Sequence, residues 1–242
     1  MVTIIKSIFI ALVLVSFANG SSKLSQNEIK EIEALPLFQG AQVSIKEGYD
    51  KGSVYILNVT VRGQSDSIYL TKDRKYLISG DVMSTQDGQR LEIPVDMSVI
   101  KGKEAFTFGT GKDEYILFTD TECPYCKKFE SYFTQIEDKV KIKIFFYPLA
   151  SHRNAKDISL YIMNQKSHKD KVDTFLNTTK DTPAFINRKI NANELKKLEA
   201  QLAEQMEIAN KLGVRGTPSV FDPEGNKISW VEMLRGYGII VK

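Results

Sequence analysis

Residues Thr119 to Lys128 read TDTECPYCKK, and its two cysteines, Cys123 and Cys126, are the only ones in the 242-residue chain. The run before it, Tyr115 to Thr119, is almost wholly apolar and predicts a buried strand. Pro124 suits the first position of a helix, where a missing N–H is no loss, so a helix is expected from Cys123 to about Glu137. A thiol at that place faces the unsatisfied N–H groups of the helix start. Such a setting favours the thiolate, the attacking species in disulfide exchange. Cys126 lies about one turn further on, on the same face, where a second thiol resolves a mixed disulfide. Phe129, Tyr132, Phe133 and Ile136 continue that face against the strand, so Cys126 is expected to be buried and Cys123 exposed.

Other uses of the pair fit less well. A structural zinc site takes four ligands; no second cysteine pair exists, and His152 and His168 are distant singles that read as ordinary surface or half-buried residues. No metal or other cofactor is therefore expected. A purely structural disulfide across so small a loop would remove little entropy from the unfolded chain. Redox exchange remains. Asp120 and Glu122 are read as solvated turn residues, because a negative charge beside the attacking sulfur would oppose the thiolate. Lys127 and Lys128 are as apt to point into solvent as to help it. Tyr125 carries no charge, which argues against a very strong oxidant.

Working outward, the pattern past the pair predicts a strand over Val140 to Tyr147. Helical stretches follow near Ala155 to Gln165, Lys171 to Leu176 and Ala192 to Leu212, then strands at Ser219 to Phe221 and Lys227 to Ser229. A strand near Ala105 to Phe108 precedes. Upstream the pattern differs. SVYILNVTVRG (Ser53 to Gly63), SIYLT (Ser67 to Thr71) and KYLISG (Lys75 to Gly80) alternate as half-buried strands, after one amphipathic helix around Glu28 to Leu35. The class is therefore α+β. A strand-rich unit over 21–82 is too small for an ample core of its own and is expected to need a partner surface. Residues 83–103, with Pro94 and the Lys101-Gly102-Lys103 stretch, read as a linker, and 104–242 as the unit that carries the cysteines.

Composition narrows the function. Hydrophobic residues at 42% and charged ones at 26% are globular values, so disorder is excluded as the ground state. The 33 basic and 30 acidic residues are mixed along the chain, with no basic stripe to follow a phosphate backbone, and nucleic acid is not expected as a partner. Lys6 followed by SIFIALVLVSFANG (Ser7 to Gly20) has the length of a secretory h-region, whereas a spanning helix takes ~20 apolar residues. With Ala18 and Gly20 before Ser21, residues 1–20 read as a signal peptide, an uncleaved anchor being the alternative. Either way the body is exported, to a compartment that permits disulfides.

Gly216-Thr217-Pro218 stands directly before the strand Ser219 to Phe221. Proteins of thioredoxin fold place a cis-proline there, beside the redox pair. LFTDTECPYCKKF (Leu117 to Phe129) together with LGVRGTPSVF (Leu212 to Phe221) resembles the periplasmic disulfide isomerases DsbC and DsbG. YLTKDRKYLISGDV (Tyr69 to Val82) is similar to the last hairpin of that family's N-terminal dimerisation domain. The resemblance implies a thioredoxin-like catalytic domain with a helical insertion, preceded by a small dimerisation domain, in a homodimer whose cleft holds unfolded chains. It implies Cys123 as nucleophile, Cys126 as resolving thiol, Pro124 and Tyr125 as the variable pair of the motif, and Thr217 with Pro218 as the substrate-docking loop. The Thr217 hydroxyl is expected beside the Cys123 sulfur. Three departures stand out: Pro124 replaces the glycine familiar in DsbC, the second cysteine pair of DsbC is absent, and the segment between Gly80 and Cys123 reads as shorter and contains Pro94; Leu117, moreover, occupies the place where thioredoxin carries a buried acid. No carboxylate is available at that position.

The implied activity is thiol-disulfide exchange on unfolded or misoxidised exported proteins in the periplasm, isomerising or reducing their disulfides, with a membrane redox partner recycling the pair. A dimeric disulfide-introducing oxidase and a chaperone-like module for unfolded chains are the alternatives. Direction depends on the potential of the pair against its compartment, which residues alone do not state.

Overall fold

The computed structural model describes residues 22–61, 63–85 and 88–241. The expected signal peptide, 1–20, lies outside them. The chain divides into two compact units, one ending at Gly80 and the other beginning at Asp81.

The first unit runs β1 (Ser22–Lys23), α1 (Gln26–Glu33), α2 (Pro36–Gly40), β2 (Val43–Asp50), β3 (Val54–Val61), β4 (Gln64–Thr71) and β5 (Leu77–Ile78). The strands form one antiparallel sheet in chain order. Alternation decides its inner face: Tyr55, Leu57 and Val59 of β3, with Ile68 and Leu70 of β4, meet Ile29 and Ile32 of α1 and Phe38 of α2. Ser25 starts α1 through a capping box, its hydroxyl accepting from the Glu28 N–H while the Glu28 carboxylate accepts from the Ser25 N–H. The single helix expected around Glu28 to Leu35 is two, because Pro36 begins a new turn.

The second unit continues with a 3-10 turn (Met97–Ile100), β6 (Phe106–Phe108), β7 (Asp113–Thr119), α3 (Pro124–Glu130), a 3-10 turn (Phe133–Gln135), β8 (Val140–Phe146), α4 (Ala155–Met163), α5 (His168–Asn177), α6 (Pro183–Ile186), α7 (Ala192–Lys211), β9 (Ser219–Phe221), β10 (Lys227–Ile228) and α8 (Trp230–Gly236). The sheet order is β10-β9-β7-β8-β6, with β7 and β8 parallel and the other pairs antiparallel. β7 is central because its YILF run is apolar on both faces. Leu117 joins Ile142, Ile144, Phe146, Val220 and the Phe129 ring of α3 on one side. Ile116 and Phe118 join Phe145, Phe221 and the end of α7 (Ile208, Ala209) on the other. Gln205 of α7 is fully buried yet satisfied, accepting from the Phe146 N–H at 2.9 Å and donating to the Lys103 carbonyl at 2.8 Å. The α+β class read from the sequence is the class observed.

Three local readings change. The helix after the cysteines ends at Glu130 rather than near Glu137, and a 3-10 turn follows. Three residues per turn let Phe133 and Ile136, three apart and both fully buried, share one face. The stretch read as a linker is packed onto the second unit from Val95 onward. The Val95 N–H donates to the Gly225 carbonyl at 2.9 Å, and Ile100 is buried among the side chains around Ile116. Gly225 is required there: its φ is +86°, and a Cβ would lie 1.9 Å from the Val95 carbonyl oxygen. Finally, α8 escaped the sequence reading although Ser229 caps it, its hydroxyl accepting from the Glu232 N–H. That Ser-x-x-Glu spacing was the signal to use.

Candidate active site

β7 delivers the chain to Thr119, and four residues later α3 begins with Cys123 as its cap and Pro124 in its first turn. The turn between them is held by Asp120. This side chain is fully buried, and its carboxylate accepts from the N–H groups of Glu122 (2.7 Å), Cys123 (3.1 Å) and Leu149 (2.6 Å) and faces His152 Nδ1 at 2.9 Å. Asp120 thus ties the cysteine turn to the segment after β8. Glu122 makes a second tie, accepting from the Asn154 N–H at 2.6 Å and its side-chain amide at 2.8 Å. Burial pushes the Glu122 carboxyl up, but those bonds outweigh it and leave the group below the usual carboxylate range. Neither acid is the solvated turn residue expected from the sequence, and His152 is the partner of one of them. Beyond the two local N–H groups of Glu122 and Cys123, the partners that satisfy them lie about thirty residues away, out of reach of local pattern reading.

Both cysteines are free thiols. Cys126 is fully buried, as expected, but Cys123 is only 5% exposed, so the expected contrast in exposure is a small one. The reason is the loop before β9. The Thr217–Pro218 peptide bond is cis, and the Thr217 carbonyl oxygen accepts from the Cys123 thiol at 3.4 Å, closing over the sulfur. Pro124 and Tyr125 remain outside, Tyr125 at 68% exposure.

The Thr217 hydroxyl makes no hydrogen bond to the Cys123 sulfur. It is buried and has no hydrogen-bond partner. Burial pushes the Cys126 thiol up to about 12. The Thr119 and Thr217 hydroxyls and the Asp120 N–H, 3.5 Å from the sulfur, act the other way, and the charge of Glu130 adds to the rise.

Glu130 is the residue the sequence reading missed. Leu117 does occupy the strand position without an acid, but α3 supplies a carboxyl from the other side. Glu130 is 3% exposed, its Oε1 accepts from the Thr119 hydroxyl at 2.7 Å, and its Oε2 lies 3.0 Å from Lys127 Nζ. Burial holds its carboxyl above the usual range in spite of that lysine. Lys127 is turned inward, donating to the Phe175 carbonyl at 3.2 Å, while Lys128 is exposed. The spacing from Cys126 to Glu130, four residues on one helix, was the available signal.

Among the described residues no group of three or more His, Cys, Asp or Glu side chains is placed to hold a metal ion. A groove of about 380 Å³ lined by Leu149, His152, Arg153, Leu202 and Met206 includes neither cysteine in its lining.

A parallel strand pair, a cysteine-capped helix and a cis-proline loop over the first sulfur coincide with a family match. The thioredoxin-like domain matches residues 107–237, more than half of the chain. The protein belongs to the thioredoxin-like family. Among solved structures, this thioredoxin-like protein is similar to a disulfide interchange protein from Neisseria gonorrhoeae, at 26% identity over 58% of this chain and 97% of that one, with a TM-score of 0.43. It is also similar to the catalytic domain of Proteus mirabilis ScsC, at 20% identity over 57% of this chain and 89% of that one, TM-score 0.41. A periplasmic thioredoxin-like protein from Salmonella enterica serovar Typhimurium matches at 17% identity over 57% and 91%, TM-score 0.46. No curated protein matches the chain.

Proposed function

We propose that this thioredoxin-like protein is a thiol-disulfide oxidoreductase of exported proteins, of the DsbC/DsbG kind, that isomerises or reduces wrongly formed disulfides. The observation that carries the reading is the unequal pair: Cys123 lies under a single backbone carbonyl at the start of α3, and Cys126 is fully buried beneath it with its thiol pushed up to about 12. Cys123 attacks a substrate disulfide and the substrate is held as a mixed disulfide, its chain docked on the Thr217–Pro218 loop. Because Cys126 stays protonated near neutral pH, closure onto Cys123 is delayed. A second substrate thiol then has time to attack, which is isomerisation; when none does, Cys126 closes and the substrate leaves reduced.

The export reading of residues 1–20 places this chemistry in the periplasm, with a membrane redox partner returning the pair to the dithiol. The first unit joins two copies into a homodimer: Tyr76, Leu77 and Ile78 are exposed on and beside the edge strand β5, the kind of strand that pairs with another chain. Equilibration with reduced and oxidised glutathione tests the chemistry. The expected result is reversible formation of a Cys123–Cys126 disulfide and recovery of a scrambled multi-disulfide substrate. A pair that never exchanges with glutathione would remove the reading.

A further inference from the structure

We infer that His152 is a positioning residue for the attack by Cys123: as an imidazolium it offsets the charge of the Asp120 carboxylate that holds the cysteine turn, and so favours the attacking thiolate. The inference rests on the thiol-exchange reading above and gives a role to a side chain that reading leaves unused. The two oxygens of Asp120 divide their work. Oδ1 accepts from the N–H groups of Glu122 at 2.7 Å and Cys123 at 3.1 Å, while Oδ2 accepts from the Leu149 N–H at 2.6 Å and meets His152 Nδ1 at 2.9 Å. Four donors on two oxygens need a carboxylate, since an amide would turn one of its ends into a donor. The carboxylate brings a difficulty with it. A fully buried negative charge sits against the backbone of the residue whose sulfur must itself become negative. Three of the four donors are backbone N–H groups and stay neutral. The imidazole is the one that can gain a charge.

Its geometry suits that use. Facing a carboxylate, Nδ1 carries the proton, and Nε2 is the nitrogen that titrates. The His152 side chain is 24% exposed and lines the groove of Leu149, Arg153, Leu202 and Met206, so the ring is within reach of solvent, whereas Asp120 is sealed from it. When the Cys123 thiol gives its proton to solvent, the turn gains a second negative charge beside Asp120. A proton taken from solvent on Nε2 makes the Asp120–His152 pair neutral and lessens the repulsion on the thiolate. The thiolate then forms its bond to one sulfur of the substrate disulfide; the other sulfur leaves with the electron pair and takes a proton from solvent. The coupling is reciprocal: an imidazolium that favours the thiolate is itself favoured by the thiolate, by the same factor.

The charged and titratable groups around the ring are Asp120 and Glu122 from the turn after β7, Arg153 and Lys156 at the start of α4, and Glu199 of α7 on the same groove. Lys156 and Glu199 bind each other at 2.7 Å and cancel. Arg153 opposes a positive ring, while Glu122 and the directly bonded Asp120 favour it.

The test is the rate at which iodoacetamide alkylates Cys123 in the reduced full chain across a pH series, compared with His152→Asn, whose amide can still donate to Asp120 but carries no charge. Alkylation needs no disulfide, so it reads Cys123 apart from the exchange reaction. On acidification the parent is expected to lose reactivity with a shoulder, where the ring gains its proton, and His152→Asn without one. The variant should be slower by roughly fivefold in mild acid, the effect of one weakly screened charge, and equal to the parent in alkali. A second readout stands even if His152→Asn folds poorly. The chain holds two histidines, His152 and His168, so NMR of the imidazole protons can follow each. Capping Cys123 with iodoacetate leaves a fixed negative charge, and capping it with iodoacetamide leaves a neutral group of nearly the same size. The titration midpoint of His152 should lie about 0.7 pH unit higher under the charged cap, the same fivefold, with His168 unmoved. The parental profile in His152→Asn, or one His152 midpoint under both caps, overturns the inference and leaves thiol exchange untouched. A chain that shows both effects yet never exchanges with glutathione overturns the exchange reading alone.

Discussion

The surroundings of Cys123 and of Cys126 are one helical turn apart and built in opposite ways. Around Cys123 the contacts are backbone: a carbonyl over the sulfur, and an N–H bound to the Asp120 carboxylate. Around Cys126 side chains join a backbone N–H: the Asp120 N–H lies 3.5 Å from the sulfur, and the Thr119 and Thr217 hydroxyls and the Glu130 carboxyl act on it. Backbone leaves room for an arriving chain and suits a sulfur that must meet many substrates. A closed set of side chains suits a sulfur that only ever meets its neighbour, and it lets proton transfer set the timing. Two identical thiols in one motif acquire different chemistry from their different surroundings.

The strongest way to break this contrast is to exchange the thiols for hydroxyls one at a time. Cys123→Ser should abolish exchange with glutathione. Cys126→Ser should still attack, and should accumulate mixed disulfides with substrates because nothing closes the pair. Trapping in Cys123→Ser and not in Cys126→Ser, read on a non-reducing gel, would reverse the roles.

Removing the carboxylate that organises the Cys123 side should have the next largest effect. Asp120→Ala takes the side-chain acceptor from the N–H groups of Glu122, Cys123 and Leu149 and from the His152 ring, so a loss on the order of 3 kcal/mol is expected in urea unfolding. Alkylation of Cys123 should change with it as the turn loosens. A variant as stable as the parent would mean that the turn is held by other contacts.

Thr217→Val sharpens the contrast with the smallest change, since it removes a hydroxyl at nearly constant volume. The hydroxyl opposes the rise that burial imposes on the Cys126 thiol, so its loss should lengthen the life of the mixed disulfide and leave the attack by Cys123 unchanged. A shift in the redox potential of about 30 mV would correspond to about 1.4 kcal/mol for a two-electron couple. An effect confined to the attack step would place the hydroxyl on Cys123 after all.

Much of this was legible along the chain because it is local. Pro124 after a strand marks the start of α3, the alternation from Ser53 to Gly80 marks the first sheet, and the apolar run Tyr115 to Phe118 marks a strand covered on both faces. Cys126 is buried for the same reason, since three residues of helix carry it to the face that holds Phe129. Periods of two and 3.6 are properties of neighbouring residues, and they survive without knowledge of what lies opposite. The roles of Asp120, Glu122, Glu130 and Thr217 were decided only by tertiary structure. Asp120 and Glu122 read as solvated charges until Leu149, His152 and Asn154, brought back by β8, supply their hydrogen bonds. Glu130 reads as the polar edge of a helix until the end of β7 sets Thr119 against it. A buried polar group is tolerated only with its partners, and here the partners come from strands and loops that the fold, not the spacing, brings together.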